Sequence, residues 1–361
     1  MKQEKLMIFG AQSFARGIYM ALKTLYPSCP VEGFLVSSLN GNPENIDGVP
    51  VLETDIFAAT LSDAEKDNVK ILIATPEDLF EDIMSKLTGL GFGNYICMDS
   101  RKDAALMKEY YDAIGLFPAL CEFPKGNKSK VPEVYQVKFY KDKPLKNAVA
   151  MPDWCIPLQV GAALTAERVA ELTDDTGDNI SAKNPNYCEL TAWYWMWKNR
   201  LKECADEAYF GMFHYRRILD IAEEDLFRLA ENDVDVILPY PTIHYPDIKE
   251  HHKRYVKEAD WQAMLQALRE VQPEYVKAYE EIFGQQYFYN YNIVIAKKSI
   301  LEDYCEWMFS ILERTEELSE PKGWQRGDRY IGYIGESLTT LYFMYHQKDY
   351  KIVHAGRYML T

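Results

Sequence analysis

From residue 5 to about residue 115, short apolar runs alternate with stretches whose apolar residues recur at helical spacing, and this rhythm constrains the fold more than any other feature. Apolar runs at 6–9, 31–36, 69–74 and 95–98 are separated by helical patterns over 13–25 and 77–90. A strand apolar on both faces must be covered on both, and strand–helix–strand alternation supplies that cover, so the pattern predicts βαβ units and a mainly parallel sheet. Between 116 and 133 the rhythm gives way to Phe117-Pro118 and Pro124-Lys125-Gly126-Asn127-Lys128, which is linker chemistry. A second α/β segment follows over 134–361. Its expected strands are 134–140, 209–213, 234–238, 288–296 and 350–354, with helical patterns near 223–231, 247–283, 298–316 and 329–346. A further helix is expected after Asn184-Pro185, with Asn as N-cap, Pro in the first turn and Tyr187, Leu190, Tyr194 and Trp197 along one stripe. The expected organisation is therefore a domain over 1–115, a linker over 116–133 and a second domain over 134–361, in keeping with a length of 361 residues.

Composition narrows the partners. Acidic residues outnumber basic ones, 55 to 40, for a formal net charge of −15, and neither half is basic. A phosphate-backbone binder needs a concentrated positive surface, so nucleic acid is not an expected partner. Seven cysteines form no C-x-x-C pair and no zinc-ligand spacing with the six histidines; reduced, mostly buried thiols are expected and no residue is assigned to a metal. Lys2 and Lys5 precede an apolar run too short for a signal peptide, and no run is long enough to span a bilayer. A cytoplasmic protein is expected, with peripheral membrane association left open. Aromatic residues reach 14%, led by 26 tyrosines, and such side chains suit ligands with alternating apolar and hydroxyl faces, as sugars have.

Gly10-Ala11-Gln12-Ser13-Phe14-Ala15 falls where the first strand turns into the first helix, a place where backbone N–H groups can hold a phosphate. It is not a dinucleotide fingerprint. The second glycine is replaced by Gln12, and the second strand ends Val36-Ser37-Ser38 without a ribose-binding acid. With Gly33-Phe34-Leu35-Val36 and Ile46-Asp47-Gly48-Val49-Pro50-Val51, the run resembles the Rossmann-like N-terminal domain of sugar-nucleotide acyltransferases over about residues 5–100. That resemblance implies a nucleotide-sugar-binding role, with Gly10 and Ser13 as the candidate contacts.

In the second segment, a polar loop, Asp174-Asp175-Thr176-Gly177-Asp178-Asn179-Ile180-Ser181-Ala182-Lys183-Asn184, runs into the aromatic helix. His214-Tyr215-Arg216-Arg217 leaves the carboxyl end of a strand, where open α/β sheets bind ligands, and alternation would put His214 and Arg216 on one face. Two guanidiniums there can clamp a diphosphate with charge-assisted bonds. These runs, together with Tyr187-Cys188-Glu189-Leu190-Thr191, closely resemble the bacterial family called domain of unknown function 4422 over about 134–361. Members are found in polysaccharide-biosynthesis settings and regarded as glycosyltransferases of GT-A type. One departure is Lys141-Asp142-Lys143, where the family leads one to expect His-Lys.

The resemblance implies transfer of a sugar from a nucleotide-sugar donor to a glycan or lipid-linked glycan acceptor in capsule, exopolysaccharide or envelope polysaccharide assembly. Asp175, Asn179, Ser181, Lys183, Asn184, Glu189, His214 and Asn292 are the candidate substrate contacts; Arg216 and Arg217 are expected to neutralise the leaving diphosphate, and Glu336 to act as base or sugar contact. Asp233-Val234-Asp235 has the letters of a metal-binding D-x-D but begins a strand, so it is read as turn and solvent-facing acid, and manganese or magnesium stays an open cofactor. His251-His252 is read as exposed helix and Glu316-Glu317 as a solvated face. Two other readings remain, a non-catalytic nucleotide-sugar-binding scaffold and an NAD-dependent nucleotide-sugar oxidoreductase, the latter disfavoured by Gln12 and the absent ribose acid.

Overall fold

The computed structural model describes residues 5–146 and 150–361, so Lys2 lies outside the described residues. The four apolar runs of the first segment, with two strands that were not expected, Asn45–Ile46 and Val49–Glu53, form a six-stranded sheet in the order Asn45–Ile46, Val49–Glu53, Val31–Val36, Lys5–Phe9, Val69–Ile73, Tyr95–Cys97, parallel throughout except for the edge pair Asn45–Ile46 and Val49–Glu53. Helices Ser13–Leu25 and Ser100–Ile114 pack together on one face. The second of these was not expected, although its ends are marked: Asp99 caps it by accepting from Lys102 N at 2.9 Å, and Gly115 closes it in the left-handed conformation at φ 66°.

The second sheet has seven strands in the order Ile352–Ala355, Val236–Pro239, Val294–Lys297, Tyr209–Phe213, Glu133–Lys138, Cys155–Gln159, Leu172–Thr173. Only Val294–Lys297 runs antiparallel to its neighbours. The chain is thus α/β, a parallel-rich sheet followed by a mixed one. Helices Glu258–Val271 and Lys298–Leu318 pack together, and helix Tyr330–Tyr345 is buried almost all round, which explains its nearly continuous apolar sequence.

The segment between the sheets is packed. Leu120 is buried, Pro118 O accepts from His354 N at 2.8 Å, and Tyr111 donates its hydroxyl to Pro241 O at 2.8 Å. The carboxyl ends of Lys5–Phe9, Glu133–Lys138 and Tyr209–Phe213 open onto one cleft, because the residues that follow each strand line it.

Several expectations are corrected. The aromatic helix is two helices, Asn184–Tyr187 and Leu190–Asn199, broken at Cys188, whose φ of 52° no α-helix accommodates; Asn184 is the first helical residue rather than the cap. The strand expected over 288–296 is interrupted by Tyr291 and Asn292 at φ 74° and 49°, and only Val294–Lys297 joins the sheet. His252 is buried, its ring stacked on Trp261 at 4.0 Å, and both histidines lie in the short 3-10 turn His251–Arg254. Glu316 is buried too, accepting from Lys183 Nζ at 2.6 Å and Tyr187 Oη at 3.2 Å. All seven cysteines are free as expected, but only Cys155 and Cys305 are buried. Among the described residues no helix is long and apolar enough to cross a membrane.

Candidate active site

The cleft encloses about 860 Å³, within the size range of small-molecule sites. The first sheet contributes Gln12, Ser13 and Arg16 to its wall; the second contributes the turn after Tyr209–Phe213, the break at Cys188–Glu189, segment 244–255 and the start of helix Tyr330–Tyr345. Gly10 does not line it. Gly10 is a bend, with φ 122° and Ala74 O only 2.4 Å from where a Cβ would stand, so no other residue fits.

His214, Tyr215, Arg216 and Arg217 all line the cleft. Strict alternation fails because the strand ends at Phe213 and the four residues form a tight turn, His214 N donating to Arg217 O at 3.0 Å. Arg217 lies over the Tyr291 ring at 4.3 Å, and Arg216 approaches one carboxylate, Asp78, at 3.7 Å while its buried Nε has no partner. The guanidiniums are therefore next to an open space rather than locked against acids.

Two carboxyls stand with them. Burial pushes the Glu189 carboxyl up, but nearby His214 and a 2.7 Å hydrogen bond from Asn292 Nδ2 outweigh it and hold Glu189 below its ordinary value. Glu336 goes the other way: burial, with the neighbouring Glu189 charge, pushes it up to about 8 against the opposing pull of Arg217 and Arg329. Near pH 7 one carboxylate is ionised and its neighbour carries a proton, the separation from which acid and base roles are made. The cleft also holds Asp142, whose carboxylate accepts from Phe139 N at 2.7 Å and is pushed up by burial. That is what occupies the place of the missing His-Lys.

The candidate substrate contacts divide sharply. Glu189, His214 and Asn184 reach the cleft, as do Glu336 and Ser13. Asp175, Asn179, Ser181, Lys183 and Asn292 do not. Asp175 accepts from Thr173 Oγ1 at 2.6 Å and pairs with Arg168; Asn179 accepts from Ser181 N at 3.2 Å; Ser181 Oγ donates to the buried Asp174; Lys183 pairs with Glu316. The polar loop is thus built around Asp174, which also accepts from Gly161 N, Ala162 N and Thr191 Oγ1. Asn292 is fully buried, donating to Glu189 and accepting from Thr339 Oγ1 at 2.9 Å, so it positions a carboxylate rather than a sugar.

Sequence reasoning missed Arg16, His244, Tyr245, Arg254, Tyr255 and Arg329, which complete the wall. None belongs to a local motif; only the fold brings them together. Asp233 and Asp235 do not fit a metal: their carboxylates pair with Lys297 Nζ at 2.7 and 2.9 Å at the amino end of Val236–Pro239, away from the cleft.

Among solved structures, the chain is similar to the WbbM bifunctional glycosyltransferase in its apo form, with 32% identity and a TM-score of 0.54 over 65% of this chain and 46% of that one, so it spans less than half of that protein's length. It is also similar to the mannosyltransferase Ktr4p from S. cerevisiae, at 12% identity and a TM-score of 0.29 over 73% of this chain and 81% of that one, a likeness too slight to carry an argument. No curated protein matches it. A family model matches residues 142–348. That match runs through more than half of the sequence, from the cleft rim to the end of the last long helix, and the chain belongs to the family described as Domain of unknown function (DUF4422).

Proposed function

We propose that the chain is a glycosyltransferase that moves a sugar from a nucleotide-sugar donor to a glycan or lipid-linked glycan acceptor, in the cytoplasmic assembly of bacterial capsule, exopolysaccharide or another envelope polysaccharide. One observation carries the reading: a cleft at the carboxyl ends of strands from both sheets sets two carboxyls of opposite protonation state beside the guanidiniums of Arg217 and Arg329, which make no ion pair among the described residues, and Arg216, which meets Asp78 at 3.7 Å. Similarity to a bifunctional glycosyltransferase supports it.

The bond between the anomeric carbon and the diphosphate oxygen breaks, and the electron pair leaves with the diphosphate. Arg216 and Arg217 oppose that charge, together with Arg329, which also acts on Glu336. The acceptor hydroxyl bonds to the anomeric carbon and releases its proton. Glu336 in its ionised form takes that proton, while Glu189, kept ionised by His214 and Asn292, stabilises positive charge developing on the sugar ring. In this reading residues 1–115 and 134–361 are two domains sharing one site: Ser13 is the first domain's contact, and Gly10 shapes the turn that presents it. Asn184 shapes the cleft beside Glu189, while Asp175, Asn179, Ser181 and Lys183 support it from outside.

The test is thermal stabilisation of the chain by a panel of nucleotide sugars, with and without manganese or magnesium. At least one should raise the melting temperature, and Arg216→Ala or Arg217→Ala should weaken that ligand by about tenfold or more, the worth of a charge-assisted bond. A panel without effect, or arginine variants that bind as tightly as the parent, overturns the reading.

A further inference from the structure

Arg16, Arg217, Arg254 and Arg329 all line the cleft, yet none makes an ion pair among the described residues, in a chain with 55 acids against 40 bases. With Arg216 they fall into two groups. Arg216 and Arg217 belong to the turn at 214–217, and Arg217 and Arg329 both act on the Glu189–Glu336 pair. Arg16 and Arg254 stand on the wall where helix Ser13–Leu25 meets segment 244–255: Arg254 Nη1 donates to Gln12 Oε1 at 2.6 Å and Arg16 Nη1 to Tyr245 O at 3.1 Å.

On that wall the Arg16 Nε is buried without a partner, and burial lowers the pKa of its guanidinium, so this cation has given up water and gained one carbonyl in return. A desolvated charge is costly unless it meets an opposite one. Of the acids nearby, Glu250 pairs with Lys253, and Asp247 accepts from Lys249 N at 2.9 Å and pairs with neither arginine. The imidazoles nearby are neutral, His251 at about 4 and His244 well below its ordinary value, both chiefly through burial. Ser13 adds a hydroxyl. The desolvated Arg16, with its orphaned Nε, stands beside the exposed Arg254, neutral imidazoles and the Ser13 hydroxyl, and that combination makes a place for an anion.

We infer that the Arg16–Arg254 wall is a second anion subsite, separate from the one at Arg216 and Arg217, and that it holds the phosphate or diphosphate ester of the second substrate. The inference rests on the glycosyltransferase reading for its purpose, while its existence is testable alone. The anion bound there is the diphosphate ester of a lipid-linked acceptor or a free phosphate, which share this chemistry.

The experiment is calorimetric titration of the full chain with inorganic pyrophosphate. Two binding events per chain are expected. Arg16→Met should weaken one about tenfold and spare the other, Arg217→Met should do the reverse, and Arg254→Met repeats the first result should Arg16→Met fail to fold. Competition for the Arg16-dependent event by farnesyl diphosphate marks a lipid-linked source; competition by inorganic phosphate alone marks free phosphate. A single event, or two events indifferent to Arg16 and Arg254, overturns the subsite and leaves the proposed function standing if that event depends on Arg217. No binding at all removes both.

Discussion

Glu336 and Glu189 show how one cleft assigns two roles to one residue type. Glu336 has its carboxyl pushed up to about 8, so it is protonated at pH 7 and becomes a base only as pH rises. Turnover should therefore climb between about pH 7 and 9, and Glu336→Gln should lose that limb together with roughly 100-fold or more of kcat, the usual worth of a positioned acid or base. A pH–rate profile of both proteins checks it, and full turnover by the variant removes Glu336 from the chemistry. Asn292 keeps Glu189 ionised from below. Asn292→Ala strips a donor from Glu189 and an acceptor from Thr339, so it should destabilise the chain by about 1–3 kcal/mol in urea unfolding and also reduce turnover. Asn292 was legible in the sequence as an important asparagine. Its role was not, because a residue's reach depends on its burial, and Tyr291 and Asn292 turn the chain into the core through positive φ that no apolar pattern announces.

At the level of elements, the loop 174–184 is the instructive case. Its density of short polar side chains signals many hydrogen bonds but not whether they point outward to a ligand or inward to the loop itself. Asp174 decides the matter by accepting from two backbone N–H groups and two hydroxyls. Asp174→Ala should therefore cost about 2–4 kcal/mol in urea unfolding, since it leaves buried donors unpaired, whereas Asp175→Ala and Asn179→Ala should leave ligand affinity within twofold. Affinity falling with Asn179→Ala would return the loop to the site. Four of the six strands of the first sheet were readable because parallel strands covered on both faces are continuously apolar, whereas Asn45–Ile46 and Val49–Glu53 lack such a run. Helix Leu190–Asn199 misled for a related reason: its aromatic stripe continues through Cys188, so periodicity alone merges it with Asn184–Tyr187. His252 and Glu316 were misread because each is buried with partners far along the chain or on another element, Trp261 in one case and Lys183 in the other.

At the scale of the molecule, the two sheets share more than a cleft. Helix Ser100–Ile114 packs against strand Arg357–Met359, and a cavity of about 30 Å³, room for about one water, is lined by Ser13, which also lines the cleft, and by Asp103, Tyr240 and Arg357. Burial pushes the Asp103 carboxyl up to about 7, against the opposing charge of Arg357. In the unfolded chain the same carboxyl titrates near 3.8. Folding therefore favours the protonated form, so the stability this group contributes is complete below about pH 4 and is lost as pH rises from about 4 to about 7. Asp103→Asn presents a neutral group at every pH. The variant's melting temperature should match the parent's near pH 4, exceed it by a growing margin up to about pH 7, and keep a constant lead above that. Subtracting one melting curve from the other cancels every other titrating group. A difference that is flat across this range would mean that Asp103 is not buried between the sheets.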